Sequence, residues 1–146
     1  MMKIMKGLVL AFGSFDLFHP GHLSYLESAR KYGNKLIVIV ARDESIKTIK
    51  KRTPLFEEKD RLRILKAIRF IDDAVIGIKL KTLEDEYNII KKYKPSVLAF
   101  GYDQKIDEKK LKEWLKHNKI NARIVRIKAY NEKKYKSSLI KKKLKI

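Results

Sequence analysis

The sequence predicts an α/β fold in which helices cover both faces of a five-stranded parallel sheet. Five short, nearly continuous apolar segments occur along the 146 residues, and such segments are typical of strands buried on both faces. Between them lie stretches whose apolar residues recur at helical spacing. The length is that of one ordinary domain, to which we assign residues 1–146.

The five strands are predicted at residues 7–12, 35–40, 74–77, 97–100 and 122–127. Helices are predicted at residues 21–32, 42–51, 57–70, 83–93 and 137–144, and one more begins after the N-cap residue Asp107. Gly33 and Asn34 end the first helix, because both tolerate the left-handed conformation of a C-cap. The helix at 57–70 has an apolar stripe of Leu62, Ile64, Leu65 and Ile68.

In a Rossmann-like sheet of this kind, ligands bind at the carboxyl ends of the strands, where the loops gather. The loops that follow the five strands span residues 13–22, 41–43, 77–79, 101–104 and 128–138. A functional site is therefore expected among these residues.

The loop after the first strand carries the clearest signal. Residues 13–22 read Gly-Ser-Phe-Asp-Leu-Phe-His-Pro-Gly-His and run directly into the first helix. Gly13 and Gly21 permit close approach of the backbone to a ligand, and Pro20 suits the first turn of a helix. The N–H groups of the helix start form an anion site, and His19 and His22 can both donate to one anionic group. The loop therefore predicts phosphate binding.

Two other interpretations of this histidine pair are open. His-x-x-His is half of a metal site, but His117 is the one other histidine and the chain has no cysteine, so carboxylates would have to complete the site. The pair could also be purely structural. We favour phosphate, because both histidines lie at the strand-to-helix turn where this fold binds ligands.

Charge and composition set the class of partner. The formal net charge is +19, and residues 101–146 contribute +11 of it (16 basic and 5 acidic residues). This balance is compatible with nucleic acid, with small phosphorylated ligands or with lysine-covered helices. Aromatic residues are not interleaved with the charges as single-strand binding requires, so we expect no nucleic-acid partner.

The expected location is the cytoplasm. The absence of cysteine excludes disulfides and fits a reducing compartment. No apolar run approaches the ~20 residues of a membrane span, and the N-terminus lacks signal-peptide features. We therefore expect no membrane partner.

The motif Gly-Ser-Phe-Asp-x-x-His-x-Gly-His at residues 13–22 resembles the signature of the nucleotidyltransferase superfamily, which contains cytidylyltransferases, pantetheine-phosphate adenylyltransferases and archaeal FAD synthases. The resemblance extends over nearly the whole chain. Members carry two hydroxyl residues before a C-terminal helix, as in Lys136-Ser137-Ser138 here. The basic segment at 50–54, with Arg52, and the later Arg61 resemble a region that helps to bind substrate phosphates in the family.

Two further segments are similar to archaeal FAD synthases in particular. One contains Arg42 after the second strand, and the other is Gly101-Tyr102-Asp103 after the fourth. Tyr102 stands where cytidylyltransferases tend to have the first Asp of Gly-Asp-Asp. Some archaeal FAD synthases carry C-terminal cysteines, which are absent here, so no role of theirs carries over.

The resemblance implies transfer of AMP from ATP to the phosphate of FMN, which gives FAD and pyrophosphate by in-line attack on the α-phosphorus. The attacking phosphate is already nucleophilic, so catalysis consists of positioning and charge stabilisation. Mg²⁺ or another divalent cation accompanies the nucleotide, and no tightly bound organic cofactor is expected. Asp16 is a candidate to bind that cation directly or through water; alternatively it braces the loop as an Asx-turn residue.

These considerations give three sets of candidate site residues. The predicted catalytic residues are His19, His22 and Ser138. The predicted nucleotide-binding residues are Gly13, Ser14, Phe15, His19, Gly21, His22, Gly101, Asp103, Ser137 and Ser138. The predicted substrate-binding residues are Asp16, Arg42, Arg52, Arg61 and Lys136.

Two rival functions stay open. A cytidylyltransferase for glycerol 3-phosphate or another alcohol phosphate, or a pantetheine-phosphate adenylyltransferase, would share these motifs and differ in its substrates. A nucleic-acid-binding or regulatory protein of this fold would use the basic C-terminal segment and release no pyrophosphate. Because members of the family often pair near the active site, the resemblance also implies a homodimer.

Overall fold

The five-stranded parallel sheet is confirmed by a computed structural model, which describes residues 6–79, 83–131 and 133–145. Its strands are β1 (Leu8–Gly13), β2 (Lys35–Val40), β3 (Asp73–Ile76), β4 (Val97–Gly101) and β5 (Arg123–Ile127). They lie in the order β3-β2-β1-β4-β5, and every neighbouring pair is parallel. The chain reverses its direction of travel across the sheet between β1 and β4, which is where open α/β sheets bind ligands.

Six α-helices occur among the described residues. They are α1 (Pro20–Arg30), α2 (Asp43–Ser45), α3 (Glu58–Lys66), α4 (Tyr87–Tyr93), α5 (Glu108–His117) and α6 (Ser137–Lys143). A π-helical turn (Ile46–Lys50) continues α2, and a 3₁₀ turn (Leu83–Glu86) precedes α4. In this part of the chain, none of the helices has the length and apolar character that crossing a bilayer requires.

Each face of the sheet packs against its own helices. Val9 and Ala11 of β1 belong to the layer that includes residues of α1 and α3, whereas Leu10 and Phe12 belong to the layer with α4 and α5. Strands that are buried on both faces need apolar side chains at successive positions, which explains why they could be located in the sequence. The expected site therefore lies at the carboxyl ends of strands that are covered on both faces of the sheet.

The predicted caps of two helices can be compared with the structure. Asp107 caps α5 as predicted, since its Oδ1 accepts a hydrogen bond from the N–H of Lys110 at 3.1 Å. The reason given for Gly33 is wrong, because its φ is not positive. Gly33 is needed for close packing instead: a Cβ there would lie 2.4 Å from the carbonyl oxygen of Gly7.

Two helix predictions are corrected. The third helix ends at Lys66 and not at residue 70, and Ile64 of its predicted apolar stripe is 39% exposed. Its buried residues are Arg61 and Leu65, one turn apart. Arg61 was not part of the predicted apolar stripe, because it is charged. The helix predicted at 42–51 becomes a single α-turn followed by the π-helical turn.

Candidate active site

The β1–α1 loop is held in an unusual backbone conformation. Phe15 and Leu17 have φ angles of +52° and +58°, which cost non-glycine residues roughly 1–3 kcal/mol each unless the surroundings hold them. Phe15 is held by burial: it is 3% exposed, and its ring contacts that of His22 edge-on with centroids 5.4 Å apart. A Cβ on Gly13 would lie 2.8 Å from the same ring. Gly13 and Phe15, expected to bind nucleotide, therefore support His22 from within the protein.

His19 and His22 cap the start of α1 reciprocally. Nδ1 of His19 accepts the N–H of Gly21 at 3.0 Å, and Nδ1 of His22 accepts the N–H of His19 at 3.3 Å. A ring nitrogen that accepts a hydrogen bond carries no proton, so both neutral rings are protonated on Nε2. Each imidazole therefore keeps one N–H donor for a ligand. The N–H of Gly21 belongs to the helix start that was expected to bind an anion, but it already donates to His19.

Both histidines are neutral at pH 7. Their rings stack with centroids 3.8 Å apart. Burial, acting together with His19 and the charge of Lys50, lowers the pKa of His22 to about 3. Burial also lowers the pKa of His19, although Asp103 opposes this effect. The pair can therefore donate two hydrogen bonds to a phosphate without adding positive charge.

Asp16 joins three segments of the chain behind the histidines. Its carboxylate accepts the N–H groups of Leu55 and Phe56 at 2.8 and 3.0 Å. The same group lies 3.4 Å from Nη1 of Arg52 and 3.6 Å from Nζ of Lys141 in α6. Burial alone would raise the pKa of Asp16, but these hydrogen bonds and cations together hold it below its ordinary value. Asp16 thus fixes residues 52–56 and α6 to the β1–α1 loop.

The surroundings of Asp16 do not fit a divalent cation. Oδ1 faces the N–H of Phe56, and Oδ2 faces the N–H of Leu55 and two cationic side chains. Within the described residues, no group of three or more His, Asp or Glu is arranged to hold a metal ion. Asp16 braces the loop through Leu55 and Phe56, about 40 residues away, and not through the Asx turn that was the alternative.

Arg61 has a bracing role as well. It is completely buried, and its Nη1 donates to the carbonyl oxygen of Ser14 at 2.6 Å. Nε donates to the carbonyl of Phe56 at 3.0 Å, and Nη2 pairs with Asp43 at 2.7 Å. A side chain with no exposed surface has no face to offer a substrate. Arg61 therefore does not contact substrate as predicted, and it holds the backbone of Ser14 and Phe56 in place.

The remaining candidates are more dispersed. Nε of Arg42 donates to the carbonyl of Gly77 at 2.5 Å, which ties the end of β2 to the end of β3. Oγ of Ser137 lies 3.5 Å from the carbonyl oxygen of Asp16, so the start of α6 is beside the β1–α1 loop. Asp103 is exposed in the loop after β4, and Lys136 and Ser138 are exposed at the start of α6. These three side chains are therefore accessible to a ligand.

Comparison with known proteins identifies the family. Residues 10–143 match the family model described as cytidylyltransferase-like. The chain belongs to the cytidylyltransferase-like family. A protein named FAD synthase from Archaeoglobus profundus is 44% identical over 133 residues, which cover 89% of this chain and 80% of that protein. A FAD synthase from Pyrococcus horikoshii is 44% identical over 119 residues, which cover 82% of this chain and 78% of that protein.

Solved structures show the same architecture. The lipopolysaccharide core biosynthesis protein from Thermoplasma volcanium matches with a TM-score of 0.77 and 34% identity, covering 85% of this chain and 98% of that one. Pantothenate synthetase from Thermus thermophilus matches with a TM-score of 0.57 and 15% identity, covering 94% of this chain and 64% of that one. The second match concerns the fold alone.

Three residues of this cytidylyltransferase-like site were missed by sequence reasoning. Gln104 joins the ends of two strands, since its Nε2 donates to the carbonyl of Phe12 and its Oε1 accepts the N–H of Gly101, both at 2.6 Å. The charge of Lys50 acts to lower the pKa of both His22 and Glu86. Nothing local distinguishes Lys50 from the lysines around it or Glu86 from Glu84, because their partners are distant in sequence.

Proposed function

We propose that this chain is an FAD synthase, which transfers AMP from ATP to the phosphate of FMN and releases pyrophosphate. The observation that carries nucleotidyl transfer is the stacked pair of neutral histidines, each with a free Nε2–H, beside the cations Lys50, Arg52 and Lys141. The choice of ATP and FMN is supported by the archaeal relatives named FAD synthase, which are 44% identical to this chain.

The reaction requires positioning more than acid–base chemistry. A phosphate oxygen of FMN forms a bond to the α-phosphorus of ATP as the bond from that phosphorus to the bridging β-phosphate oxygen breaks. The attacking phosphate is largely dianionic at pH 7, because its second pKa is near 6, so no base is needed. In our proposal, His19 and His22 donate to the oxygens of the triphosphate and stabilise the charge that develops on them. One such donor contributes about 10²–10³ to turnover.

The leaving pyrophosphate is assigned to the side of the site formed by α6. Lys136, Ser137 and Ser138 begin this helix, and its Lys141 is held next to Asp16. Asp103, exposed after β4, is assigned to the ribose or base of ATP. A divalent cation that arrives with ATP neutralises phosphate charge, as in other phosphoryl-transfer reactions. The chain supplies the hydrogen bonds and side-chain cations that orient the two substrates.

The proposal is tested by crossing substrates in the presence of Mg²⁺. ATP and CTP are each combined with FMN, glycerol 3-phosphate and pantetheine phosphate, and pyrophosphate release is measured while the nucleotide product is identified by chromatography. We expect release with ATP plus FMN, with FAD as the product. Release with CTP and an alcohol phosphate would replace these substrates and keep the mechanism, whereas no release in any combination would contradict nucleotidyl transfer.

We further propose that the chain, residues 1–146, acts as one catalytic domain, forms a homodimer and works in the cytoplasm without a nucleic-acid partner. The family resemblance supports the dimer. Sedimentation equilibrium measures the oligomeric state, and a monomer at micromolar concentration would refute the homodimer. Binding to duplex DNA that weakens steeply with salt would refute the absence of a nucleic-acid partner.

A further inference from the structure

A cavity of about 740 Å³ lies on the face of the sheet that carries α4 and α5. Its volume lies in the range of small-molecule pockets. Phe12 and Phe100, which line it, lie near the carboxyl ends of β1 and β4, and Phe12 directly precedes the β1–α1 loop. The cavity therefore reaches the end of the sheet at which ligands bind in this fold. The other lining residues used below are Glu86, Ile106 and Arg126. None of the functional candidates from the sequence lies in this wall.

The surface of the cavity wall is mostly apolar, although Lys105, Asp107, Glu108 and Lys110 also line it. The rings of Phe12 and Phe100 are parallel within 7°, with centroids 5.4 Å apart. The guanidinium of Arg126 stands 5.9 Å from the Phe100 ring and is held there by Glu108 and by the carbonyl of Gly101. Apolar and aromatic walls with a few placed polar groups are typical of pockets that hold planar heterocycles.

Glu86 is a polar group of this wall that can offer a hydrogen-bond donor and an acceptor together. Burial raises the pKa of its carboxyl to about 7, although Lys50 opposes this effect, so a large fraction is protonated at neutral pH. A protonated carboxyl presents an O–H donor beside a C=O acceptor. That pair is complementary to an imide edge, in which an N–H lies beside a carbonyl.

The charge of Lys50 acts both on this cavity and on the histidine site. It affects Glu86 in the cavity wall and His22 in the β1–α1 loop region. A phosphate bound near His22 would therefore also be attracted by Lys50. In-line transfer requires the acceptor to approach from the side opposite the leaving pyrophosphate, which we assigned to α6. None of the α6 residues, all of which the structure describes, lines the cavity. We therefore assign the cavity to the acceptor and not to the pyrophosphate.

We propose that the cavity binds the isoalloxazine ring of FMN, with Glu86 paired to the imide edge of the ring and Lys50 beside the phosphate. This assignment rests on the proposed function, because it names the acceptor as FMN. It adds a ring-binding subsite, with Glu86 as its specificity-determining residue, to a reaction whose phosphate chemistry is carried by the histidines.

The experiment separates the ring from the phosphate. Riboflavin has the ring but no phosphate, so it cannot accept AMP and should inhibit competitively with FMN. In Glu86→Leu we expect the KM for FMN and the Ki of riboflavin to rise together by about 30-fold, as the loss of two hydrogen bonds predicts, with the KM for ATP unchanged. Glu86→Gln retains a donor beside an acceptor and should keep both values within about threefold of wild type.

Two more variants and a control complete the design. Ile106→Trp fills the cavity and should raise both the KM for FMN and the Ki of riboflavin, whereas Lys50→Gln should raise the KM for FMN and leave riboflavin unaffected. Glu113→Gln, on the exposed face of α5, serves as the matched control and should change nothing. An unchanged KM for ATP shows that a variant is folded.

The outcomes are distinguishable. If Glu86→Leu and Ile106→Trp raise the KM for ATP and not that for FMN, the cavity holds adenine and the ring assignment is wrong, while the proposed function stands. If neither KM changes, or if riboflavin does not compete with FMN, the assignment is also overturned. If wild-type protein makes no FAD from ATP and FMN, the proposed function has failed before any variant is measured.

Discussion

Replacing Asp16 with Asn tests whether one buried carboxylate holds the active-site loops together. The side chain is 1% exposed, accepts two backbone N–H groups at 2.8 and 3.0 Å, and lies 3.4 Å from Arg52 and 3.6 Å from Lys141. A hydrogen bond to a charged group contributes about 1.5–3 kcal/mol. Asn retains one acceptor oxygen and turns its NH₂ toward the other N–H. The two cations are partly exposed, so each ion pair adds at most about 1 kcal/mol.

We therefore expect Asp16→Asn to lower the free energy of unfolding by about 3 kcal/mol at pH 7. Urea unfolding followed by the fluorescence of Trp114 measures this difference. Glu27→Gln, on the exposed face of α1, makes the same change of carboxylate to amide and should stay within about 0.5 kcal/mol of wild type. A loss below about 1 kcal/mol in Asp16→Asn would show that this carboxylate does not hold the active-site loops together.

The pH dependence gives a second check on Asp16. Its pKa is lower in the folded protein than the ordinary 3.8, so the ionised carboxylate stabilises the fold above that value. This stability is lost as the pH falls through the folded-state pKa. The difference between wild type and Asp16→Asn should therefore shrink as the pH is lowered below about 4. A difference that is constant with pH would contradict the assignment.

Three further predictions concern other residues of the site. His22→Ala should lower kcat by about two to four orders of magnitude in the FAD-forming assay, with His117→Ala as the exposed control, and near-wild-type turnover would remove His22 from the chemistry. Glu86 has a pKa of about 7 against an ordinary 4.5, so the stability from its protonated form is complete below pH 4.5 and is lost as the pH rises through 7. Glu86→Gln should consequently be roughly 3 kcal/mol more stable than wild type well above pH 7, and equally stable near pH 4. Urea unfolding at both pH values measures this difference in unfolding free energy. The same difference at both pH values would contradict the prediction. Tyr25→Phe removes a hydroxyl that accepts the N–H of Phe12 at 3.3 Å and donates to the carbonyl of Ala99 at 2.6 Å. It should lower the free energy of unfolding by about 2 kcal/mol in the same urea assay. A result within about 0.5 kcal/mol of wild type would show that these bonds do not join α1 to the sheet.

Several sequence predictions depend on local chemistry, and these agree with the structure. A strand covered on both faces must be apolar at successive positions, as β2 is, so its bounds at 35–40 could be located without a partner strand. The cap at Asp107 involves an N–H only three residues away. The helix at 57–70 was extended too far because its apolar spacing continues through Ile68, although the chain leaves the helix after Lys66.

The architecture and the position of the histidine loop could be predicted from the sequence, because both follow from patterns within about ten residues. Which polar residues of the site are accessible depends on contacts between distant parts of the chain. Asp16 and Arg61 looked like substrate contacts, but their partners at Leu55, Phe56 and Ser14 lie elsewhere in the chain and bury them. Glu86 gained its raised pKa, and its proposed role, from burial, which the charge of Lys50, 36 residues before it, only partly offsets. Desolvation depends on everything packed around a group, and no local pattern contains that information.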